Sequence, residues 1–249
     1  LEIIGGEDID IKDAPYQVAL NYKSDNENTV RHFCGGTIVG HDVVITAAHC
    51  VTDFAYYKIR VGSSSCLEGG ELYSISDIVI HEDYNSIYDF DNDVAVIWLS
   101  NPMEFHDGIS SIDMFEKNEE LKEGEKTFVT GWGHFLLQEN DIVHIPKTLQ
   151  RTEVPIVSEE SCRTKYASIY STITPRMICA GLTTGGKGTC NGDSGGPLVY
   201  NGKLAGLVSF GYGCASPEWP DVYAKVSALR QWIDDTIAKL SLKHLMRAL

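Results

Sequence analysis

Seven short runs recur along the chain, DVVITAA, YKIRVG, ELYSISDIVI, DVAVIWL, KTFVTGWG, LQRTEVPIV and KLAGLVSFG, separated by clusters of Gly, Asn, Asp and Ser. Runs of this kind, rich in β-branched residues and bounded by turn residues at fairly regular intervals, predict antiparallel sandwiches or barrels. The period changes only near the end, where Val226, Leu229, Trp232, Ile233, Ile237 and Leu240 follow the three-and-four spacing of an amphipathic helix. A β body closed by a terminal helix is the simplest reading. The 249 residues suffice for one large all-β domain or for two small ones. If there are two, the acidic, turn-rich segment FEKNEELKEGEK is the natural boundary.

The nine residues SLKHLMRAL, from Ser241, place Leu242, Leu245, Met246 and Leu249 on one helical face and Lys243, His244 and Arg247 elsewhere. They read as a docking or membrane-touching stripe, or as a terminus that frays. No uninterrupted apolar run approaches the roughly 18 residues of a membrane span. The formal net charge of −15 would repel a phosphate backbone. A soluble chain that binds neither membrane nor nucleic acid is expected.

Seven cysteines without a C-x-x-C pair fit disulfides of an oxidising, extracellular setting better than metal, and the odd count leaves one over. The opening LEIIGG is not a leader, so a secretory signal is expected to have been removed already.

One strip, GGKGTCNGDSGGP from Gly185 to Pro197, sets six glycines around one serine and one aspartate. Glycine serves where backbone adopts unusual dihedrals or approaches another molecule closely. The strip is therefore either a tight turn or a backbone cradle around a reactive Ser194. A serine becomes a nucleophile when a base takes its proton and a third group orients that base. His41, His106 and His144 lie among polar turn residues and read as solvated. His49, in VVITAAHCV, ends an apolar strand beside small alanines and a cysteine. In DFDNDVAVIWL, Asp93 abuts the apolar run and must find hydrogen-bond partners once drawn inside, whereas Asp89 and Asp91 read as solvated.

IIGG at Ile3, CGGTI at Cys34, TAAHC at Thr46, DNDVAVI at Asp91, GWG at Gly131, GDSGGP at Gly192 and SFG at Ser209 occur in one order. Over nearly its whole length the chain resembles the chymotrypsin-fold (trypsin-like) serine proteases. The resemblance implies an all-β fold of two packed six-stranded antiparallel β-barrels with a C-terminal α-helix. The N-terminal barrel would span about 3–118, the C-terminal barrel about 119–225, and the helix with its extension 226–249. Residues 1–2 would be a propeptide or cloning remnant.

The same resemblance makes His49 general base and later acid, Asp93 its orienting partner and Ser194 the nucleophile, the mechanism of the serine-protease template. Backbone N–H groups of Gly192 and Ser194 would form the oxyanion hole. Ser209 would support Asp93, and the backbone of Ser209 and Gly211 would pair with an extended substrate. Cys34 would pair with Cys50, Cys162 with Cys179 and Cys190 with Cys214. Cys66 would be left as a partly buried free thiol or an intermolecular bridge. After cleavage, the ammonium of Ile3 would insert and pair with Asp193. A chain still carrying Leu1 and Glu2 would be a zymogen form, and cleavage after Glu2 departs from the family's usual activation after Arg or Lys.

Trypsin-like members carry an aspartate six residues before the nucleophile, where this chain has Gly188. Further on, EWPDVYAKV carries Asp221 where most members have glycine. The exchange, and the run GGKGTCNGDSGGPL, resemble the broad-specificity collagenolytic brachyurins of crustaceans. They imply a pocket, with Gly188, Thr189, Asn191, Phe210 and Asp221 among its residues, that takes aromatic, long aliphatic and basic side chains; collagen is a further substrate to test. Phe210, where tryptophan is common, would widen the adjoining site. The shortened loop SSSCLEGGEL offers only Glu68 and Glu71, so no structural calcium and no cofactor are expected. A secreted, monomeric digestive-type endopeptidase acting on proteins and peptides, and subject to protein inhibitors, is the expectation. The alternatives are a chymotrypsin-like enzyme of narrow specificity, a narrow regulatory protease, or a silent homologue that binds a partner.

Overall fold

The structure, a computed structural model, describes residues 3–23, 30–52, 57–85, 90–133, 146–169 and 171–248. Leu1, Glu2, Asp89, His144 and Leu249 lie outside the described residues. A two-residue strand, β1 (Glu7–Asp8), precedes six strands that close into the first barrel: β2 (Gln17–Lys23), β3 (Val30–Gly40), β4 (Val43–Thr46), β5 (Tyr57–Val61), β6 (Glu71–Ile80) and β7 (Ala95–Leu99). Their order around the barrel is β2-β3-β4-β7-β6-β5, all antiparallel. Val18, Leu20, Ile38, Val44, Ile59 and Ile97 fill it. Burying each such side chain contributes roughly 1.5–3 kcal/mol.

After the short β8 (Asp113–Met114) come β9 (Lys126–Gly131), β10 (Gln150–Val157), helix α1 (Glu159–Ala167), β11 (Met177–Ala180), β12 (Pro197–Tyr200), β13 (Lys203–Phe210) and β14 (Asp221–Lys225). The pairings run β10-β11-β14-β13-β12-β9, and β9 returns to β10, so this sheet also closes on six strands, with β1 and β8 as additional edges. The alternation expected of a half-buried strand is plain in β10, where every second residue is buried. Val129, Val154, Leu198, Val208 and Tyr223 form this core, and Ile3 from the start of the chain is buried among them. Helix α1 is capped by Ser158, whose hydroxyl accepts from the Ser161 N–H, and Glu159 and Glu160 lie where the helix dipole favours negative charge.

A third apolar cluster joins the halves. Ile45, Val96 and Trp98 of the first barrel meet Leu207 and Ala224 of the second and Val226, Leu229, Ile233 and Leu240 of α2 (Val226–Ala248). The terminal helix runs through the extension rather than fraying at Ser241. The stripe is inverted with respect to a simple amphipathic end: Lys243 and His244 turn inward to Asp77 on β6, the exposed Arg247 approaches the same carboxylate, and the His244 ring stacks on Trp98 at 5.1 Å. Leu242, Leu245 and Met246 are exposed. No described helix is long and apolar enough to cross a membrane.

Candidate active site

His49 lies in a single 3-10 turn, Ala48–Cys50, directly after β4, and Asp93 lies just before β7, which pairs with β4. Neighbouring strands of one barrel thus deliver the imidazole and the carboxylate to the same edge. The Asp93 carboxylate is buried and accepts three hydrogen bonds: from His49 Nδ1 at 2.7 Å, from the His49 backbone N–H at 3.0 Å and from Ser209 Oγ at 2.6 Å. A carboxylate that only accepts fixes the proton on Nδ1 and leaves Nε2 free to take one.

The second barrel supplies Ser194. Its carbonyl accepts from the Gly35 N–H at 2.7 Å and lies 3.6 Å from Cys50 Sγ, one residue from His49. The Cys34–Cys50 disulfide pins this corner from the other side. Ser194 follows Gly192, whose φ of +94° is accessible chiefly to glycine, and precedes Gly195, where a Cβ would collide with Thr46 Oγ1 and the Gly35 carbonyl. Among the described residues the N–H groups of Gly192 and Ser194 have no backbone acceptor, so both remain available to an oxyanion. The orientation of the Gly192 peptide is held by His32, whose Nε2 donates to the Gly192 carbonyl at 3.0 Å.

Asp193, between them, points the opposite way and is completely buried. Its oxygens accept from the Gly133 N–H at 2.7 Å and the Cys190 N–H at 2.9 Å, and side chains at Gly131 or Gly133 would occupy the carboxylate's own space. The glycines of GWG are therefore a cradle. Burial pushes the Asp193 carboxyl up to about 7, against the pull of those two N–H donors. Ile3 is buried in the adjacent core, and Ile4 exchanges two backbone hydrogen bonds with Gly188, at 3.0 and 3.2 Å.

A cavity of about 320 Å³ opens beside Ser194, walled by Val208, Phe210, Gly211 and the Cys190–Cys214 disulfide, with Asp221 inside it. Thr189, Asn191 and Ser209 also line it, whereas Gly188 is not among the lining residues. A Cβ at Gly188 would stand 2.6 Å from Asp221 Oδ2. The space surrendered at 188 is the space the Asp221 carboxylate fills. That carboxylate is buried and accepts from the Thr189 N–H at 2.7 Å, and burial pushes its carboxyl up to about 7.

Asp91 differs from its expected role as a solvated turn residue. It is held by Arg176 through a two-pronged ion pair and by Thr174 Oγ1 at 2.7 Å, because the second barrel closes over this turn. Burial works to raise the Asp91 carboxyl, and the Arg176 and Thr174 donors overcome it and hold it below the usual range. His41 is more engaged than a free turn histidine, stacking on Phe105 at 3.9 Å. Cys162–Cys179 forms the remaining disulfide, and Cys66 is a free thiol, fully rather than partly buried, pushed up to about 12 by burial. Two neighbours of the site are not singled out by the sequence motifs. Phe90 faces the His49 ring and stacks on Phe210, both at 5.6 Å, and His32 reaches the site through the Gly192 carbonyl while its ring meets Trp132 edge-on. An aromatic in the otherwise acidic turn DFDND was the available clue.

The trypsin family model matches residues 3–233. The chain is 50% identical to a vitellin-degrading protease of Bombyx mori, covering 99% of this chain and 90% of that protein. It is 40% identical to a trypsin of Sarcophaga bullata, over 96% and 90% of the two chains, and 38% identical to a trypsin of Phaedon cochleariae, over 94% and 88%. A triad-like edge between two closed barrels, together with these matches, shows that the chain belongs to the trypsin family of chymotrypsin-fold serine endopeptidases.

Proposed function

We propose that the chain is a secreted endopeptidase that cleaves protein and peptide substrates through an acyl-enzyme, with mixed primary specificity. Ser194 Oγ attacks the scissile carbonyl while His49 Nε2 takes its proton, and Asp93 stabilises the imidazolium through Nδ1. The oxygen that gains charge is received by the N–H groups of Gly192 and Ser194, donors each worth about 2.7–4 kcal/mol in comparable sites. His49 then gives its proton to the leaving amine, and water repeats the sequence to release the acid. The backbone of Ser209 and Gly211 offers a strand edge to an extended substrate. The 50%-identical relative is named for degrading vitellin, and a protein substrate of that kind suits such an edge.

The observation that carries the specificity is the buried Asp221 carboxylate standing in the space left by Gly188, inside the cavity that Ser194 lines. Apolar walls accept aromatic and long aliphatic side chains, and an Arg or Lys that reaches Asp221 gains a charge-assisted partner. The likeness to brachyurin pockets rests on this exchange and the run GGKGTCNGDSGGPL, whereas the relatives compared are insect trypsins and a vitellin-degrading protease. Full activity would require a chain that starts at Ile3, whose ammonium pairs with Asp193. Profiling this form on a peptide library, beside Ser194→Ala, tests the reading. Cleavage after Phe, Leu, Arg and Lys is expected from the former and loss of about 10⁴-fold or more from the latter. No turnover by the Ile3 form would sink it.

A further inference from the structure

We propose that Arg176 is a positioning residue of the active site, acting from the second barrel through Asp91 on the turn that carries both Asp93 and Phe90. This rests on the protease reading above. Arg176 immediately precedes β11, and its carbonyl accepts from the Lys225 N–H at 2.8 Å at the end of β14, so its backbone belongs firmly to the second barrel. Its Nε donates to Asp91 Oδ1 at 2.9 Å while Nη2 donates to Oδ2, the fork geometry that a guanidinium offers and an ammonium does not. Thr174 Oγ1 at 2.7 Å and the Asn92 N–H at 3.0 Å complete the shell of Oδ1.

The turn needs such a hold. Phe90 and Asn92, the residues on either side of Asp91, have φ of +54° and +55°; an asparagine enters this left-handed region readily, but a phenylalanine adopts it only where the surroundings impose it. Asn92 leads directly into Asp93, and Phe90 sets its ring against His49 and Phe210. A relaxation that returned either residue to negative φ would displace the carboxylate that orients His49, or the aromatic wall over which an extended substrate must run. Further holds exist, Asn92 Nδ2 to the Asp83 carbonyl at 3.1 Å and the Asn85 N–H to the Asp91 carbonyl at 3.1 Å. Removing the clamp therefore loosens the turn without abolishing it.

The test compares Arg176→Gln, Arg176→Lys and the near-isosteric Asp91→Asn with wild type, all started at Ile3. Each is measured for kcat and KM on one peptide and by NMR for the proton in the 2.7 Å His49–Asp93 hydrogen bond. For Arg176→Gln and Asp91→Asn, kcat falls roughly three- to tenfold with KM changed less than twofold, and the proton signal shifts or broadens. Arg176→Lys, which keeps the charge but not the fork, lies between. If one variant fails to fold, the other carries the comparison. A wild-type kcat and an unmoved proton signal in a folded variant overturn the proposal, whatever happens to its melting temperature. A wild type that cleaves nothing overturns the protease reading instead.

Discussion

Asp221→Asn isolates the charge in the specificity cavity while keeping its shape. The amide oxygen can still accept from the Thr189 N–H, as the carboxylate does at 2.7 Å. What disappears is the anion available to a substrate Arg or Lys, and a hydrogen bond to a charged group is worth about 1.5–3 kcal/mol. At pH 8 the variant should lose roughly 10- to 150-fold in kcat/KM for Arg and Lys peptides and little for Phe or Leu peptides. The pH dependence sharpens the test. The Asp221 carboxyl is pushed up to about 7 by burial, so the free enzyme holds it mostly ionised at pH 8 and mostly protonated at pH 6. Because kcat/KM reports the free enzyme, the ratio of Arg to Phe cleavage should fall about tenfold from pH 8 to pH 6 in wild type. Effects of pH on the triad cancel in that ratio. In Asp221→Asn the ratio should be low and flat. A flat ratio in wild type over this range, or an Asn variant that keeps its preference for Arg, would refute the reasoning.

The same substitution should raise the melting temperature at pH 8 and leave it nearly unchanged at pH 4. A carboxyl raised from 3.8 to about 7 contributes stability below its unfolded value, and that contribution is lost as pH rises through 7, at a cost on the order of 4 kcal/mol. Gly188→Asp alone should fold poorly and lose activity, since its Cβ would lie 2.6 Å from Asp221 Oδ2. Adding Asp221→Gly should restore both, with cleavage narrowed to Arg and Lys in a peptide profile. Gly133→Ala should abolish activity and lower the melting temperature by several degrees, because its methyl group would displace the Asp193 carboxylate. Asp77→Ala should speed hydrogen exchange over residues 241–248 with kcat/KM unchanged, since Asp77 is where Lys243 and His244 dock and it lies opposite Trp98 on β7, five residues on from Asp93.

Strand chemistry and motif order made much of this legible. VVIT, AVIWL and KLAGLVSF are strands because β-branched and aromatic residues suit a pleated, buried surface, and each lies beside or contains a residue of the site. Thr46 leads to His49, Asp93 leads to Ala95, and Ser209 lies within the last of the three. What the sequence hid are contacts between residues far apart in the chain. Asp91 looks like any turn aspartate until Arg176, 85 positions later, is brought against it by closure of the second barrel. His32 becomes meaningful only 160 positions on, at the Gly192 carbonyl. The extension at Ser241 hid its anchor for a related reason. Its leucines form the more conspicuous stripe, yet a single aspartate and one indole ring on the barrel draw its cations inward.

The Gly188–Asp221 exchange also ties specificity to the start of the chain. Gly188 is hydrogen-bonded through both backbone groups to Ile4, and the space where a side chain would stand on it is occupied by the Asp221 carboxylate and Ala215. With no side chain of its own, it transmits the position of the N-terminal segment directly to the wall behind Asp221. Ile4 donates to and accepts from it, and the neighbouring Thr189 N–H is the donor that Asp221 Oδ2 accepts from. A buried carboxylate is costly without such donors. Displacing the first residues would free Gly188 and Thr189 together and leave Asp221 less supported as an anion. Docking of Ile3 and Ile4 should therefore favour cleavage at basic residues more than at aromatic ones, since apolar walls need only space whereas the aspartate needs its hydrogen bond.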